Sequence, residues 1–317
     1  MLLKDIAKIL NSKVNGNSNI EITRLCSVAN PDVHSICVIK NKKFLTRKII
    51  ESTAAIVISK DMPVKMHSVN NYLVVKNIDF ALLQLCELFR NDSNELDNFT
   101  NNSFISSSSS IGKNFQTGQN VVIESNCLIG KNVTLGHNVV IHRNTIIGDN
   151  VVIGSGTIIG SEGFGNVIKD DKSWSHIVHL GSVSIGHNVR IGSNCNIDRA
   201  TIDKTTIDNG VIIDNQVHIA HNVFIGENTA IAANVGIAGS CKIGKRNMIG
   251  GMVGIIDHIT TTDDVTISAT SAVTQNLKEP GVYTGIMPIS KHSLWKRIAL
   301  WNTKLDKIAK LLDIKKI

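Results

Sequence analysis

The sequence predicts a mainly β fold: a left-handed parallel β-helix of hexapeptide repeats, preceded by a small α/β domain and followed by a C-terminal helix. Three observations carry this. Aliphatic residues recur at every sixth position through the middle of the chain, aromatic residues are only 4% of 317, and no proline occurs between 64 and 279. A six-residue step fits neither a 3.6-residue helix nor one long strand; it fits three short strands per triangular coil of about eighteen residues. A narrow prism has no room for rings, and ladders that engage nearly every backbone N–H leave no place for proline.

The repeat is read from its anchors. From Ile105 the six-residue step meets Ile111, Thr117, Ile123, Ile129, Leu135, Ile141, Ile147, Ile153 and Ile159. A second run begins at Ile207 and meets isoleucine at every step to Ile255, with Ile185, Ile191 and Ile197 between the runs. Four residues after many anchors stands a smaller residue, such as Val121, Cys127, Val133, Val211, Cys195 or Cys241. Both sets should point into the prism, which makes those cysteines core and not ligands. Gly, Asn and Asp fill the corners, where tight backbone angles are needed. The step fails over 161–184 and again over 198–206. The longer excursion carries Phe164 and Trp174 and is expected to contact substrate or another subunit.

Before the repeat, residues 1–100 are expected to form the α/β domain. Leu3, Ile6, Ala7 and Leu10 give one face of a helix, AAIVIS (54–59) and YLVVK (72–76) read as buried strands, and FALLQLCELF (80–89) as a second helix. The polar stretch 91–103 reads as a linker, 101–284 as the β-helix and 285–317 as the tail. In that tail Leu294, Trp295, Ile298, Trp301, Leu305, Ile308, Leu311 and Leu312 recur at helical spacing, with lysines behind them.

Composition narrows the function. Hydrophobic content of 42% and charged content of 19% exclude a disordered chain. No run of 18 apolar residues exists to span a membrane. Lys4, Asp5 and Lys8 interrupt what a signal peptide needs unbroken, so a cytoplasmic location is expected. Six scattered cysteines with no C-x-x-C pair argue against disulfides and zinc knuckles. Of the net charge of +7, residues 290–317 hold +6: eight Lys/Arg against two Asp. That concentration suits an acidic partner or an anionic surface, or is simply a solvated helix face.

Histidines supply the candidate chemistry. H-N-V occurs at 137–139, 187–189 and 221–223, each time at a corner, so spacing alone does not single out His221. Stacking adds information, because residues eighteen apart lie on successive coils about 4.8 Å apart. Gly239 falls above His221, His258 about two coils up, and Asp214 and Asn215 one strand earlier. A cluster of that kind at one ridge suits acyl transfer. An imidazole, with an ordinary pKa of about 6.5, serves as general base, and a bare backbone N–H holds a tetrahedral oxyanion. His137 and His142 have a zinc-like spacing, but the third ligand would fall near Asn101, so no metal is expected.

At these residues the chain resembles the UDP-3-O-(3-hydroxyacyl)glucosamine N-acyltransferases of bacterial lipid A synthesis. GSEGFG (160–165), NIDRATID (196–203), DNQVHIAHNV (214–223), MIGG (248–251) and EPGVY (279–283) carry the likeness over nearly the whole chain. The resemblance implies a homotrimer with active sites between adjacent β-helices. It implies transfer of an (R)-3-hydroxyacyl chain from acyl carrier protein to the 2-amino group of a UDP-linked, 3-O-acylated glucosamine. No cofactor is implied beyond the phosphopantetheine on the carrier, and no nucleic-acid partner. His221 matches the general base, His258, Asp214 and Asn215 the assisting residues, and Gly239 the oxyanion amide. ICVIKNKKF (36–44) resembles the uracil-binding segment and places Asn41 and Phe44 at the nucleotide. There Val38 stands where an aromatic is common and Phe44 where a tyrosine is, so a ring can stack but no phenol can hydrogen-bond. His176 and His179 replace the usual Lys and Gln. Ser271 and Ala272 stand where methionines often limit acyl length, which implies a deeper groove and a longer chain. The basic tail, with Lys291, Lys296 and Arg297, would steer the acidic carrier protein. Two alternatives stay open at this point. One is another hexapeptide enzyme, a UDP-sugar O-acyltransferase or an acetyl-CoA-dependent N-acetyltransferase. The other is a non-catalytic solenoid scaffold.

Overall fold

The computed structural model describes residues 1–62, 71–90, 102–285 and 290–311. Most of the expected linker, Asn101 and Leu312 therefore lie outside the described residues. The chain divides into two units, Met1–Asp97 and Asn98–Ile317, so the C-terminal helices group with the solenoid.

In the first unit, helix α1 (Leu3–Ile9) buries Leu3, Ile6 and Ala7, the face its spacing predicts. Five strands follow: β1 (Val14–Asn15), β2 (Arg24–Cys26), β3 (Ser35–Ile39), β4 (Ala55–Ser59) and β5 (Tyr72–Val75). They line up as β1-β5-β4-β3-β2, parallel throughout except for β1 against β5. Helix α2 (Arg47–Ser52) starts at Thr46, whose hydroxyl accepts the Ile49 N–H. Helix α3 (Ile78–Leu88) starts at Asn77, whose side-chain oxygen accepts the N–H groups of Asp79 and Phe80. The sequence reading contains α1, β4, β5 and α3. It lacks β3 as a strand, although Ile36, Cys37 and Ile39 there are fully buried.

The second unit is the prism. Its three faces begin at Phe104–Ile105, Ser110–Ile111 and Gln116–Thr117 and hold nine, seven and nine parallel strands. The handedness is left. Val122, Val140 and Ile158 stack on the first face, eighteen residues apart, as the repeat predicts. Each coil hands its N–H groups to the next, as in Gly112 to the Ile129 carbonyl at 2.8 Å and Gly130 to Ile147 at 2.8 Å. The anchors fill one continuous core from Ile123 to Leu277. Burying each isoleucine stabilises by about 1.5–3 kcal/mol. Cys127, Cys195 and Cys241 are wholly buried and unpaired, as expected. Thr145, Thr157, Thr229 and Asn247 occupy further small inward slots with their polar atoms satisfied.

The corners explain the asparagines. Asn114, Asn120, Asn126, Asn132, Asn138, Asn144 and Asn150 all take φ between 54° and 62°. That left-handed region is one Asn tolerates better than most residues. Their side chains also run in ladders, Asn114 Nδ2 to Asn132 Oδ1 at 2.9 Å and Asn132 to Asn150 at 2.8 Å.

Both breaks in the period fall on the ridge between the first and second faces. Ile158 pairs with Asn196, 38 residues on, and Asn196 with His218, 22 residues on. The first excess folds as an antiparallel hairpin, Asn166–Ile168 against Trp174–His176.

The tail departs from its expected single helix. It forms α4 (His292–Asn302) and α5 (Leu305–Leu311). The Thr303 hydroxyl donates to the Leu300 carbonyl at 2.8 Å, which competes with the helical ladder at the break. Lys291, Lys296 and Arg297 are exposed on or beside α4.

Candidate active site on one ridge of the prism

The three H-N-V corners lie on three different ridges. His137 follows the third-face strand Thr134–Leu135, His187 the second-face strand Ser182–Ile185, and His221 the first-face strand His218–Ile219. Two of them close the ladder. Nδ1 of His137 accepts the Gln119 N–H at 2.9 Å, and Nδ1 of His187 accepts the Asp149 N–H at 2.9 Å. His221 does not. The matching N–H, that of Arg199, goes to the Ser161 carbonyl at 2.9 Å, and Nδ1 of His221 lies 3.2 Å from Oδ1 of its neighbour Asn222. The His221 ring is thereby free to lie over the next coil. His142, on the His221 ridge, pairs with Glu124 at 3.1 Å, so the H-x4-H pair does not converge.

Gly239 sits where stacking places it. A Cβ there would come within 2.7 Å of Cε1 and Nε2 of His221, so only glycine leaves this ring position open. At comparable corners a side chain on the next coil takes the backbone N–H, as Asp149 takes that of Lys131 and Asp263 that of Lys245. Among the described residues no acceptor takes the Gly239 N–H. An imidazole and an unclaimed amide thus share one surface.

The hairpin excursion covers this ridge. His179 is fully buried, and its ring meets that of His221 edge-on with centroids 5.3 Å apart. A Cβ on Gly163 would reach within 3.1 Å of His221, so the chain there passes close to the ring. Asp198, 5% exposed, is the carboxylate of the ridge. It accepts the Ser161 hydroxyl at 2.8 Å and lies 3.6 Å from Nε2 of His218. Burial raises its pKa above the usual carboxylate range, against the Ser161 hydrogen bond and the nearby imidazoles of His218, His221 and His179. Arg199, 2% exposed, donates Nε–H to the Gly160 carbonyl at 2.6 Å and closes the turn beneath. His179, Asp198 and Ser161 carry no assigned role in the sequence reading. Their signal was the register: both period breaks sit at the corner that later holds His221.

The other expected residues divide. His258 is on the His221 ridge, two coils along, with φ 59° and its N–H on the Gly239 carbonyl at 3.0 Å. Its side chain is 76% exposed. Asp214 and Asn215 are not on that ridge. They follow Ile212–Ile213 and turn the chain from the third face to the first, so the expected single cluster is spread over two ridges of one prism. The reason is the coil itself: one strand of separation is one corner of the triangle. Asn215 there accepts the Ser193 N–H at 2.7 Å, and Asp214 borders an apolar hollow of about 670 Å³ that includes Ile212, Ala230 and Met248. Ala272 ends an outward column of small residues on the first face, Gly236–Gly254–Ala272, which continues from His218. Ser271 instead takes an inward slot, and its hydroxyl accepts the Gly285 N–H at 3.0 Å. In the first unit Phe44 and Val38 line a cavity of about 480 Å³ with Leu25, Val28, Lys40 and Leu82. Asn41 is not among its lining residues; its side-chain oxygen accepts the Lys43 N–H at 3.0 Å and caps a 3-10 turn.

A trimmed glycine, a free amide and an uncapped imidazole on a solenoid of six-residue steps define a hexapeptide-repeat acyltransferase. The family model for bacterial transferase hexapeptide repeats matches residues 108–143 and 126–161. The chain belongs to the UDP-3-O-acylglucosamine N-acyltransferase family. It is 45% identical to the enzyme of that name from Vesicomyosocius okutanii, over 99% of this chain and 97% of that one. It is 43% identical to the one from Ruthia magnifica, with the same coverage. Among solved structures, LpxA from Acinetobacter baumannii overlays with a TM-score of 0.53 at 25% identity, over 58% of this chain and 69% of that one. UDP-N-acetylglucosamine acyltransferase from Campylobacter jejuni gives 0.52 at 24% and shares the fold. Among the described residues no helix is long and apolar enough to cross a membrane.

Proposed function

We propose that the chain transfers an (R)-3-hydroxyacyl group from acyl carrier protein to the 2-amino group of a UDP-linked, 3-O-acylated glucosamine, as a step of lipid A synthesis in the cytoplasm. The observation that carries it is the His221 ring lying against Gly239, whose N–H is unclaimed. His221 takes a proton from the sugar's amino group. The amine nitrogen bonds to the thioester carbonyl carbon, and the oxyanion so formed accepts the Gly239 N–H. The carbon–sulfur bond then breaks, and the departing phosphopantetheine thiolate takes a proton from the imidazolium. No covalent enzyme intermediate and no cofactor are needed.

Three further observations support the reading. The column Gly236–Gly254–Ala272 has no side chain larger than methyl, which suits an acyl chain laid along the first face. The cavity beside Phe44 offers a ring for a uracil base to stack on. Asp214 and Asn215, with an apolar hollow beside them, lie one ridge away from His221. A homotrimer of like prisms would bring that ridge of one chain to the His221 ridge of another, and we take the active unit to be that trimer. The exposed Lys291, Lys296 and Arg297 would receive the acidic carrier protein.

The test is His221→Ala, assayed with acyl carrier protein and CoA thioesters in parallel. Turnover should fall by about 10²–10⁴-fold with the fold intact, and the wild type should use only the carrier-protein donor. A fully active variant would remove His221 as the base, absence of turnover in the wild type would leave only a scaffold, and preference for CoA would select the acetyltransferase alternative.

A further inference from the structure

Three side chains of ligand type meet at the two ends of the hairpin. Glu162 stands where the chain leaves the first face, His176 closes the returning strand, and His179 follows three residues on. One donor atom from each lies within 4.8 Å of the others. Nε2 of His176 is 2.7 Å from Oε2 of Glu162, and the rings of His176 and His179 stack at 5.8 Å.

His179 gives the trio its direction. The residue is fully buried, its Nδ1 is bonded to the Ile177 carbonyl at 2.8 Å, and its Nε2 has no hydrogen-bond partner. A carbonyl accepts only from N–H, so Nδ1 carries the proton and Nε2 presents a lone pair. That pattern, one nitrogen tied to a backbone carbonyl and the other bare, is how a metal-binding histidine is oriented. Glycine keeps the approach to it open. A Cβ on Gly163 would come within 3.0 Å of Nε2, and one on Gly165 within 2.6 Å of Cε1.

We propose that Glu162, His176 and His179 bind one divalent transition-metal ion of the zinc class, which pins the hairpin to the prism. Two imidazoles and a carboxylate suit zinc, cobalt or nickel; magnesium and calcium prefer oxygen alone. The ion replaces the proton between His176 and Glu162. Tetrahedral bonds of about 2.0–2.1 Å set ligands roughly 3.3 Å apart, so the two need open only slightly, and a fourth position remains for water. The side chains of His176 and Glu162 are 45% and 42% exposed, which gives an ion its way in. Nothing here depends on the acyl-transfer reading.

The full-length protein, freed of metal with a chelator, is titrated with Zn2+ by calorimetry and with Co2+ by visible absorption. One equivalent per chain should bind, with the intense absorption of tetrahedral cobalt, and zinc should slow proteolysis within 163–176. His176→Ala, an exposed change, should weaken binding at least tenfold without altering the melting temperature of the metal-free protein. Glu162→Gln should do the same. His137→Ala, at a corner that only caps the ladder, should leave binding unchanged. Absence of stoichiometric binding overturns the proposal, as does binding that survives His176→Ala and Glu162→Gln undiminished.

Discussion

Replacing Gly239 by alanine tests the site at its tightest point. The added Cβ would lie 2.7 Å from Nε2 and Cε1 of His221, whereas ordinary contact begins at 3.4 Å, so the ring must retreat by 0.7 Å or more. It cannot do so freely. The Gly163 backbone and the His179 ring bound it on the other side, 5.3 Å between centroids. A misplacement of about 1 Å costs on the order of 10²-fold in rate, or about 2.7 kcal/mol of barrier. The backbone N–H of residue 239 is unchanged, so the loss reports the displaced base and not a deleted oxyanion donor. Stability should hold, because the glycine's φ lies outside the left-handed region and alanine takes it without strain. The measurement is steady-state turnover at saturating donor, alongside a thermal melt. A kcat within threefold of wild type, in a protein that melts normally, would refute the assignment of His221 as the base at this surface.

Three other outcomes follow from the same geometry. Asp198→Asn should become more stable relative to wild type as pH rises. The wild-type carboxyl has a raised pKa in the fold, so its folded state loses stability from the ordinary Asp value of about 3.9 upward until the buried group ionises. The melting temperature of the variant minus that of wild type should therefore rise with pH and then level; a difference that falls would contradict the burial argument. Thr270→Asn should stabilise by about 1 kcal/mol, since a β-branched residue holds φ 62° where asparagine serves other corners, as a denaturant titration would show. Reversing Lys291, Lys296 and Arg297 together to glutamate should raise KM for acyl carrier protein and flatten its salt dependence, with kcat preserved; an unchanged KM would free the tail of that role.

Much of the fold was legible because a solenoid repeats its evidence. Each coil restates the same isoleucine, small residue and left-handed asparagine, so one misplaced residue such as Thr117 cannot hide the period. The first domain had no such redundancy. β3 carries the same kind of short apolar run as β4, Ile36–Ile39 against Ala55–Ile58, and the sequence reading names the second as a strand and not the first. The tail's break at Thr303 depends on one side-chain hydrogen bond that no hydrophobic pattern records.

The candidate site was legible in part, and the dividing line is physical. Stacking by eighteen put Gly239 against His221 because both lie beyond the last break, where every coil is regular. Asp198 and His179 lie within or between the breaks, where counting from the anchors loses register by twenty residues and then by four. Yet those breaks mark the site more firmly than any motif. A regular corner spends its histidine on the N–H of the neighbouring coil, as His137 and His187 do. At the His221 corner that N–H is already taken, and the imidazole turns to Asn222 and lies over Gly239 instead. At this corner the Ser161 carbonyl takes the Arg199 N–H, and the long insertion roofs the half-buried His221 with His179. An insertion-free version of this ridge would be one more cap in the ladder, with nothing to distinguish His221 from its two counterparts.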